Sequence, residues 1–454
     1  MVTSGRGAER GMTLVEIMVT LVISAIIAAS TFMFFAGQQR IYDTQTKLLN
    51  IQQNLWAAME VVARYTRASG GGMFECVRPA NYANPTPGQE GKRIQSTSPS
   101  PDPLSANLAT RPATGVRSVD PQTGTAMQWI PPLWIVNNAC CTNADCTSPS
   151  CPTGTNSEAS LHVRPATDIL TVAFGNRTSG TDIDAIMNTP FTNTGDPISL
   201  NGTGTGGMFR VGEFVLLLVT PDWGWGTNPV VDRGCTMFVI SSITPGANDN
   251  LLHQHGAPPT DWNPSGNVAG MLPPSGYAAN SSGVRNFGTL TWVSFFIKQE
   301  GNGLPRLMMQ QRHLSGAASE PQVLAEGIED LQISFACDTG NAAGANLDNL
   351  NGVLDEGVDD DSRKRDEWRN NVPGDVFPAL ADADPGYCNL PTAVRITLVA
   401  RTLGPDDLID PTTGNGPLDI EDHRFPRPLP AHLTDQFRRR VLTTTVYPRN
   451  NKPL

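Results

Sequence analysis

The chain has 454 residues, and its 32 Lys and Arg residues against 43 Asp and Glu residues give a formal net charge of -11. This acidic balance argues against a general nucleic-acid binder, which would present a basic surface. Its 43 glycines and 37 prolines disfavour a helix-rich fold for most of the chain, because both residues are costly inside helices. The composition is typical of an exported, turn-rich β protein.

The N-terminus combines a short polar segment, residues 1–11, with an apolar stretch over residues 12–36. At 1.5 Å per residue the apolar stretch is about 37 Å long as a helix, which is enough to cross the hydrocarbon core of a bilayer. It is too long for a cleaved secretory signal. Glu16 is the one charged residue within it. A carboxylate in a membrane span is costly and usually functional, so Glu16 argues against a simple signal anchor.

Gly11 is followed directly by Met12, Thr13, Leu14, Val15 and Glu16, and this arrangement resembles the leader of type IV prepilins. The resemblance implies that a prepilin peptidase cleaves between Gly11 and Met12 and that the new N-terminus is methylated. Met12 stands where the family commonly has phenylalanine. The resemblance also implies that Glu16 pairs with the N-terminal amine of a neighbouring subunit. This pairing is physically reasonable, because a charge in lipid is tolerated only when an opposite charge compensates it.

The helix is expected to continue beyond the membrane span. Apolar residues recur at helical spacing and predict one buried stripe: Ile41, Leu48, Ile51, Leu55, Met59 and Val62. The glycines at 70–72 end this pattern. We therefore expect a helix over residues 12–69, with a transmembrane or filament-core part at 12–36 and an amphipathic part at 37–69.

The rest of the chain is expected to form short strands and long loops. β-branched and aromatic runs predict strands at 168–174, 213–220, 236–243, 289–298, 306–311, 328–335, 393–401 and 440–447. The longest loops cover roughly 77–166, 245–286 and 337–392. The expected fold class is α+β and pilin-like, with an antiparallel sheet on the amphipathic half of the helix and large insertions. Its divisions are a β-rich head at 70–336, an acidic insertion at 337–392 and C-terminal strands at 393–454.

Four segments narrow the resemblance to PilW-type minor pilins. They are QNLWAAMEVVARYTRASGG at the helix end, VLAEGIEDLQISF at 323–335, AVRITLVAR at 393–401 and RRRVLTTTVYPRN at 438–450. The resemblance implies a minor pilin that assembles into or primes a type IV pilus near its tip, with no catalytic role. The head would lie in the periplasm behind an inner-membrane span before the subunit enters the extracellular pilus.

The PilW resemblance also implies a set of partners. These are the prepilin peptidase, the major pilin, other minor pilins, the inner-membrane assembly platform and a tip adhesin, with no nucleic acid. One alternative is a minor pseudopilin of type II secretion or of a DNA-uptake pseudopilus, because PilW also resembles the J-type pseudopilins. A second alternative is a membrane-anchored, calcium-dependent adhesin.

The acidic insertion is a candidate calcium site. Seven acidic residues and no Lys or Arg lie between Asp338 and Asp361. Calcium prefers several oxygen ligands and a glycine that permits a sharp turn. The candidate ligands are the side chains of Asp348, Asn349, Asn351, Asp355 and Glu356 and the carbonyl of Val353. The spacing departs from an EF-hand, and a solvated acidic loop is the competing interpretation. No cofactor is required.

The eight cysteines favour disulfides in an exported chain. Cys337 and Cys388 flank the acidic insertion, and a bridge between them would close it. Cys140, Cys141, Cys146 and Cys151 do not have a usual zinc spacing, so loop disulfides are favoured there. Cys76 and Cys235 are the remaining candidates, and the full connectivity stays open.

Other motifs favour no enzyme. Gly202, Gly204 and Gly207 satisfy G-x-G-x-x-G, but they lead into a predicted strand and not into a helix, so we interpret them as a flexible loop. His253 and His255 have no nearby carboxylate in the sequence, which argues against a metal site. No P-loop or catalytic triad motif is present.

Overall fold

The structure is a computed structural model of the chain. It describes residues 13–70, 117–119, 126–128, 133–136, 139, 161–175, 184–193, 195–219, 235–254, 263, 277–301, 303–313, 319–336, 368–369, 393–404, 418–420, 423–425 and 437–448.

One long helix, α1, covers Leu14–Ala68. Its 55 residues correspond to about 82 Å at a rise of 1.5 Å per residue. Only its C-terminal part is buried: Ile51, Leu55, Ala58, Met59, Val62, Ala63 and Thr66 face the head. The helix predicted at 12–69 is therefore confirmed over Leu14–Ala68, and Thr13 caps its N-terminus. The apolar spacing seen in the sequence marks the buried stripe from Leu48 onwards, whereas the prediction is wrong for Ile41, which is 50% exposed.

The head is built from antiparallel strands. In chain order they are β1 (Arg117–Val119), β2 (Ala126–Gln128), β3 (Leu133–Val136), β4 (Ile169–Gly175), β5 (Ala185–Ile186), β6 (Ile198–Ser199), β7 (Phe214–Val219), β8 (Cys235–Val239), β9 (Ser242–Thr244), β10 (Asn250–Leu252), β11 (Ser282–Gly288), β12 (Leu290–Lys298), β13 (Arg306–His313), β14 (Gln322–Glu326), β15 (Ile328–Ala336), β16 (Trp368–Arg369), β17 (Ala393–Arg401), β18 (Leu418–Ile420), β19 (His423–Phe425) and β20 (Arg439–Val446).

Two sheets share one core with the docked half of α1. The first has the strand order β14-β13-β12-β4-β3, and the second has the order β16-β15-β17-β20. Register places alternate residues of three neighbouring strands in line, for example Ile333, Ile396 and Thr444. This alternation places Leu331, Ile333 and Phe335 of β15 in the same hydrophobic core as the buried residues of α1. The result is one helix covered by two sheets, where the sequence predicted a single sheet.

A large segment enters and leaves the first sheet at a single point. Gly175 ends β4, Leu290 begins β12, and these two residues are register partners. Residues 176–289 are thus inserted between two adjacent strands of the core sheet. The described strands of this insertion form two sheets, of order β5-β11-β7-β8 and β6-β10-β9. A separate hydrophobic cluster lies between them, centred on Phe191, Phe238 and Tyr277.

The junction between the inserted segment and the core sheet is tightly packed. A Cβ atom on Gly175 would lie 2.3 Å from the backbone oxygen of Phe287, so only glycine fits there. Asn286, which is fully buried, donates from its side chain to the carbonyl of Met208 (2.8 Å) and to Glu213 (2.7 Å). It also accepts a bond from the amide of Gly288 at a β-bulge. These contacts hold the chain where it passes from one sheet to the other.

The expected strands are present, and all three expected loops contain additional strands, with β16 in the loop expected at 337–392. All eight predicted strand segments contain strands, including the long β12, β15 and β17, but the segment predicted at 236–243 is divided between β8 and β9. The loop expected at 77–166 contains β1, β2 and β3, and the loop expected at 245–286 contains β10 and most of β11. These strands are short or contain polar residues and glycine, so their local pattern is weak. Pairing with strands more than 30 positions away stabilises β3, β10, β11 and β16, whereas β1 and β2 pair with each other.

Candidate functional site

The N-terminus of α1 holds Glu16 in a capping box. The Thr13 hydroxyl accepts a bond from the Glu16 amide (3.3 Å), and the Glu16 carboxylate accepts one from the Thr13 amide (3.2 Å). This arrangement satisfies amide donors that the first helical turn leaves without partners. The positive end of the helix dipole also favours a carboxylate here. Glu16 is exposed, so its carboxylate is accessible to a second molecule at the start of the span.

The first half of α1 is apolar and is not buried against the head. Large side chains from Leu14 to Phe35 are between 50% and 76% exposed, with Phe32 the most exposed. Among the described residues, α1 is the one helix long and apolar enough to cross a membrane. Such a surface needs either lipid or other apolar helices around it, because contiguous exposed apolar patches mark contact sites. The geometry is that of a membrane or filament-core segment.

The second half of α1 is fixed to the head by apolar and polar contacts. The ring of Tyr65 packs between Phe174 and Phe295, at centroid distances of 5.9 and 5.7 Å. Gln311 donates to the Tyr65 hydroxyl (3.3 Å), and Asn54 donates to the carbonyl of Glu326 (3.3 Å). These contacts fix the C-terminal half of α1 to the head, and Glu16 lies at the opposite end of the same helix.

A buried ion cluster joins four segments of the head. Glu329, at the start of β15, is 1% exposed. Its carboxylate is paired with Arg439 of β20 and lies 3.6 Å from Arg164 and 3.8 Å from Arg401. Arg164 also donates to the backbone oxygen of Glu329 (2.7 Å), and Arg401 stacks 4.3 Å from the ring centroid of Phe437. One carboxylate thus holds three guanidinium groups.

The ion cluster links the segments that carry the PilW resemblance. Glu329 belongs to VLAEGIEDLQISF, Arg401 to AVRITLVAR and Arg439 to RRRVLTTTVYPRN. The pairing of β15 with β17, and of β17 with β20, brings the three together. Sequence reasoning did not identify this cluster, since its members lie up to 275 positions apart, from Arg164 to Arg439. Charged residues at strand ends carry no local signal of burial.

Most of the other predicted site residues lie outside the described residues. These are Gly11 and Met12 of the leader, and Asp348, Asn349, Asn351, Val353, Asp355 and Glu356 of the candidate calcium loop. The same holds for Cys76, Cys140, Cys141, Cys146, Cys151, Cys337 and Cys388, while the backbone of Cys235 is described in β8. Within the described part of the chain no group of three or more His, Cys, Asp or Glu side chains could hold a metal. The calcium and disulfide hypotheses stay predictions.

The glycine loop predicted to be flexible forms an ordered turn. Its residues lead into a 3-10 turn at Thr205–Met208 and then into β7. Asp249, which is buried, accepts bonds from the amides of Gly206 (2.8 Å) and Gly246 (3.0 Å). These backbone donors hold the pKa of Asp249 below its usual range. The loop is a structural turn, and no helix follows it as a dinucleotide site would require.

His253 is a core residue of the inserted segment. It is 6% exposed, and its ring lies 4.3 Å from the ring of Phe238 and 5.5 Å from that of Phe191. His255 lies outside the described residues. The ring of His253 thus packs against two phenylalanines in the core of this segment.

Comparison with known protein families gives a match at the N-terminus and a match in the C-terminal region of the chain. Residues 294–450 match the family profile of PilW, the type IV pilus-assembly protein W, and residues 6–32 match the prokaryotic N-terminal methylation motif. No curated protein and no solved structure matches the chain. The PilW match covers β13–β20, including Glu329, Arg401 and Arg439, and the inserted segment precedes it. The chain therefore carries a type IV prepilin-like N-terminus and a PilW-type C-terminal region.

Proposed function

We propose that this chain is a minor pilin that assembles into or primes a bacterial type IV pilus, near its tip. The observation that supports this most directly is the division of α1. Its first half is exposed and apolar, with a carboxylate at its start, and its second half is fixed in a PilW-type head. A prepilin peptidase would cleave between Gly11 and Met12, and the head would face the periplasm until assembly.

Glu16 would act as the assembly residue. In lipid its charge requires an opposite charge, and its bonds to Thr13, at 3.2–3.3 Å, supply none. The N-terminal amine of a neighbouring pilin is a cation at the same membrane depth. Pairing with that amine would bring Glu16 into the filament and fix the axial position of the subunit.

The tip position is argued from the size of the head. The inserted segment, residues 176–289, adds sheets and a second hydrophobic cluster to the core. A head enlarged in this way would fit poorly in a tightly packed shaft, whereas the tip leaves one side of the head free. The expected partners are the major pilin, other minor pilins, the assembly platform and a tip adhesin.

Mass spectrometry of the mature N-terminus tests the processing step. We expect a chain that begins with N-methylated Met12. A chain that retains residues 1–11 in the pilus-producing cell would contradict the proposal.

Immunogold labelling of the head should mark filament ends, and labelling spread along the shaft would contradict the tip position.

Replacing Glu16 with alanine tests the assembly step. Glu16→Ala should leave cleavage largely intact and strongly lower the amount of the chain in sheared pili. The matched control is Thr20→Ala in the same span, because the Thr20 hydroxyl bonds only to backbone carbonyls of its own helix (2.9 Å). Normal incorporation of the Glu16→Ala variant would exclude the charge-pairing role.

A further inference from the structure

The last strand of the second core sheet, β20, has an open edge. The strand order places β20 at one end of this sheet, and among the described residues no strand pairs with it on the side away from β17. Its pairing with β17 is continuous from Arg439 to Val446, over eight residues. An edge strand of this length presents a row of backbone donors and acceptors that another strand can use.

The hydrogen-bond pattern shows which backbone groups of β20 face outwards. The amide of Thr402 donates to the carbonyl of Arg438 (2.9 Å), and successive residues of an antiparallel strand face its two sides alternately. The even-numbered residues of β20 therefore bond to β17, whereas the N–H and C=O groups of Val441, Thr443 and Thr445 point to the open edge. Val441 is 40% exposed, and Thr443 and Thr445 are exposed as well. The edge thus offers alternating donors and acceptors at strand spacing.

The residues of this edge favour strand pairing. The segment from Val441 to Tyr447 reads VLTTTVY, with five β-branched residues and no charge, proline or glycine. Such segments have a high tendency to pair with another strand. Natural proteins usually protect an exposed edge with charges, proline, a bulge or a covering segment. Here Arg440 precedes the segment and Pro448 follows it, so residues of the protective kind stand only at its two ends.

Two other sheet edges of the head are covered by side chains. At β8 the Asn263 side chain accepts a bond from the Val239 amide (2.8 Å) and donates one to the Val239 carbonyl (2.7 Å). Asn263 is fully buried and thus takes the place of a neighbouring strand. At β14 the side chain of Asn54 in α1 donates to the carbonyl of Glu326 (3.3 Å). Within the part of the chain that the structure describes, no side chain caps the outward groups of β20 in this way.

A second copy of the chain does not fit this edge in the antiparallel arrangement that joins all strands of this sheet. Two β20 strands that pair in this way are related by a two-fold axis perpendicular to the sheet. That axis reverses every direction within the sheet, including the direction of α1, which packs on the sheet against Leu442 and Val446. The apolar halves of the two helices would point in opposite directions and could not enter the same membrane or filament core. The strand that fits the edge therefore belongs to a different protein.

From these observations we propose that β20 accepts, in antiparallel orientation, an extended segment of another protein of the pilus assembly. The backbone of this segment would bond to Val441, Thr443 and Thr445, and its uncharged, β-branched side chains would lie beside the two threonines. Arg440 is exposed at the start of the edge, so an acidic residue near the C-terminal end of the added segment would complement its charge. This inference rests on the proposed function, because it takes the partner from the pilus.

Photo-crosslinking in the full chain identifies the partner. The amino acid p-benzoylphenylalanine would replace Thr445 in the pilus-producing cell, and mass spectrometry would identify the crosslinked peptide. The matched control is the same replacement at Val323 of β14, which is 48% exposed on another strand of the head. We expect Thr445 to give an adduct with one uncharged, β-branched segment of a different protein, with an acidic residue near the C-terminal end of that segment. The control should not give this adduct.

Two substitutions in the crosslinking chain test the backbone and the charge contributions. Thr443→Pro removes an outward N–H but no bond to β17, and it should lower the adduct yield about fivefold, whereas Thr443→Ser keeps the N–H and the yield. Arg440→Glu should lower the yield about threefold, and Arg210→Glu, at an exposed arginine of the inserted segment, should not. Because Arg440 is exposed, Arg440→Glu should leave the melting temperature unchanged and remains informative if Thr443→Pro unfolds the head.

Three results would overturn the inference. They are an adduct that contains only a second copy of the chain, equal products from Thr445 and Val323, and an adduct yield that neither Thr443→Pro nor Arg440→Glu lowers. If the unmodified chain is absent from sheared pili, the proposed function is wrong, and the edge of β20 has no role in a pilus. If the chain is present in pili but Thr445 gives no specific adduct, only the inference about β20 is wrong.

Discussion

Replacing Glu329 with glutamine should destabilise the head severely, although no heavy-atom position is lost. Its carboxylate is 1% exposed and compensates three guanidinium groups, whose side chains are 8% (Arg439), 15% (Arg401) and 24% (Arg164) exposed. Removing one partner of a buried ion pair typically costs about 3–5 kcal/mol, because the remaining charge stays buried. The amide oxygen of the new side chain would still accept a bond from Arg439, and Arg164 would keep its bond to the backbone oxygen. We therefore expect a loss of about 3 kcal/mol, at the lower end of this range.

The chain offers a matched control for this substitution. Glu326, at the end of β14, pairs with Arg306 at 3.3 Å, and both side chains are nearly half exposed. Exposed pairs typically contribute about 0–1 kcal/mol. Glu326→Gln is the same chemical change three residues away. A larger loss of stability in Glu329→Gln than in Glu326→Gln therefore reports the burial of the ion cluster and not the loss of a charge alone.

Unfolding and hydrogen exchange together measure the effect. A loss of about 3 kcal/mol should lower the melting temperature of the full chain in detergent by roughly 6–12 °C, and the control by roughly 0–4 °C. Exchange should accelerate most in β17 and β20, which contribute Arg401 and Arg439. If both variants lose less than about 1 kcal/mol, the cluster does not hold these strands and the reasoning is refuted.

Three further predictions concern the inserted segment and its junction with the core sheet. The stabilisation that Asp249 gains from its backbone donors should be complete above about pH 5 and lost as the pH falls through the lowered pKa of Asp249. Asp249→Asn should therefore lower the free energy of unfolding at neutral pH and flatten its pH dependence in acid-unfolding curves. Asn286→Ala should cost about 2–3 kcal/mol in chemical unfolding, because buried polar groups lose their partners. Gly175→Ala should cost about 1–3 kcal/mol, because its Cβ would clash with the Phe287 backbone, whereas Gly207→Ala, which meets no atom within 4 Å, should be nearly neutral in the same assay.

The helix and the longest strands were predictable because their signals are local. The spacing from Leu48 to Val62 marks the buried face of α1, and the LTWVSFFIK and AVRITLVAR runs mark β12 and β17. The periodicity of apolar residues and the content of β-branched residues are sufficient to predict such elements. The prepilin resemblance likewise rests on adjacent residues, from Gly11 to Glu16, and the methylation-motif match confirms it at the level of the family.

The candidate sites in the acidic and cysteine-rich segments do not follow from a local periodic signal. Their candidate residues were chosen by chemistry and spacing alone, and nothing in the described part of the chain tests the calcium loop or the pairing of Cys337 with Cys388. Oxygen ligands and thiols reach a common point only when distant parts of the backbone place them there. Such sites therefore stay predictions until binding or disulfide mapping is measured.

The sequence by itself determined an apolar helix with one carboxylate that is long enough to cross a membrane, an amphipathic continuation and a β-rich head. The tertiary structure decided which residues meet. It paired Gly175 with Leu290 across an insertion, brought Glu329 to Arg164 and Arg439, and left the Trp56 face of α1 uncovered while burying the Leu55 face. The physical reason is that helix and strand periods act over a few residues, whereas burial and ion pairing depend on strand order and register, which join residues distant in the chain.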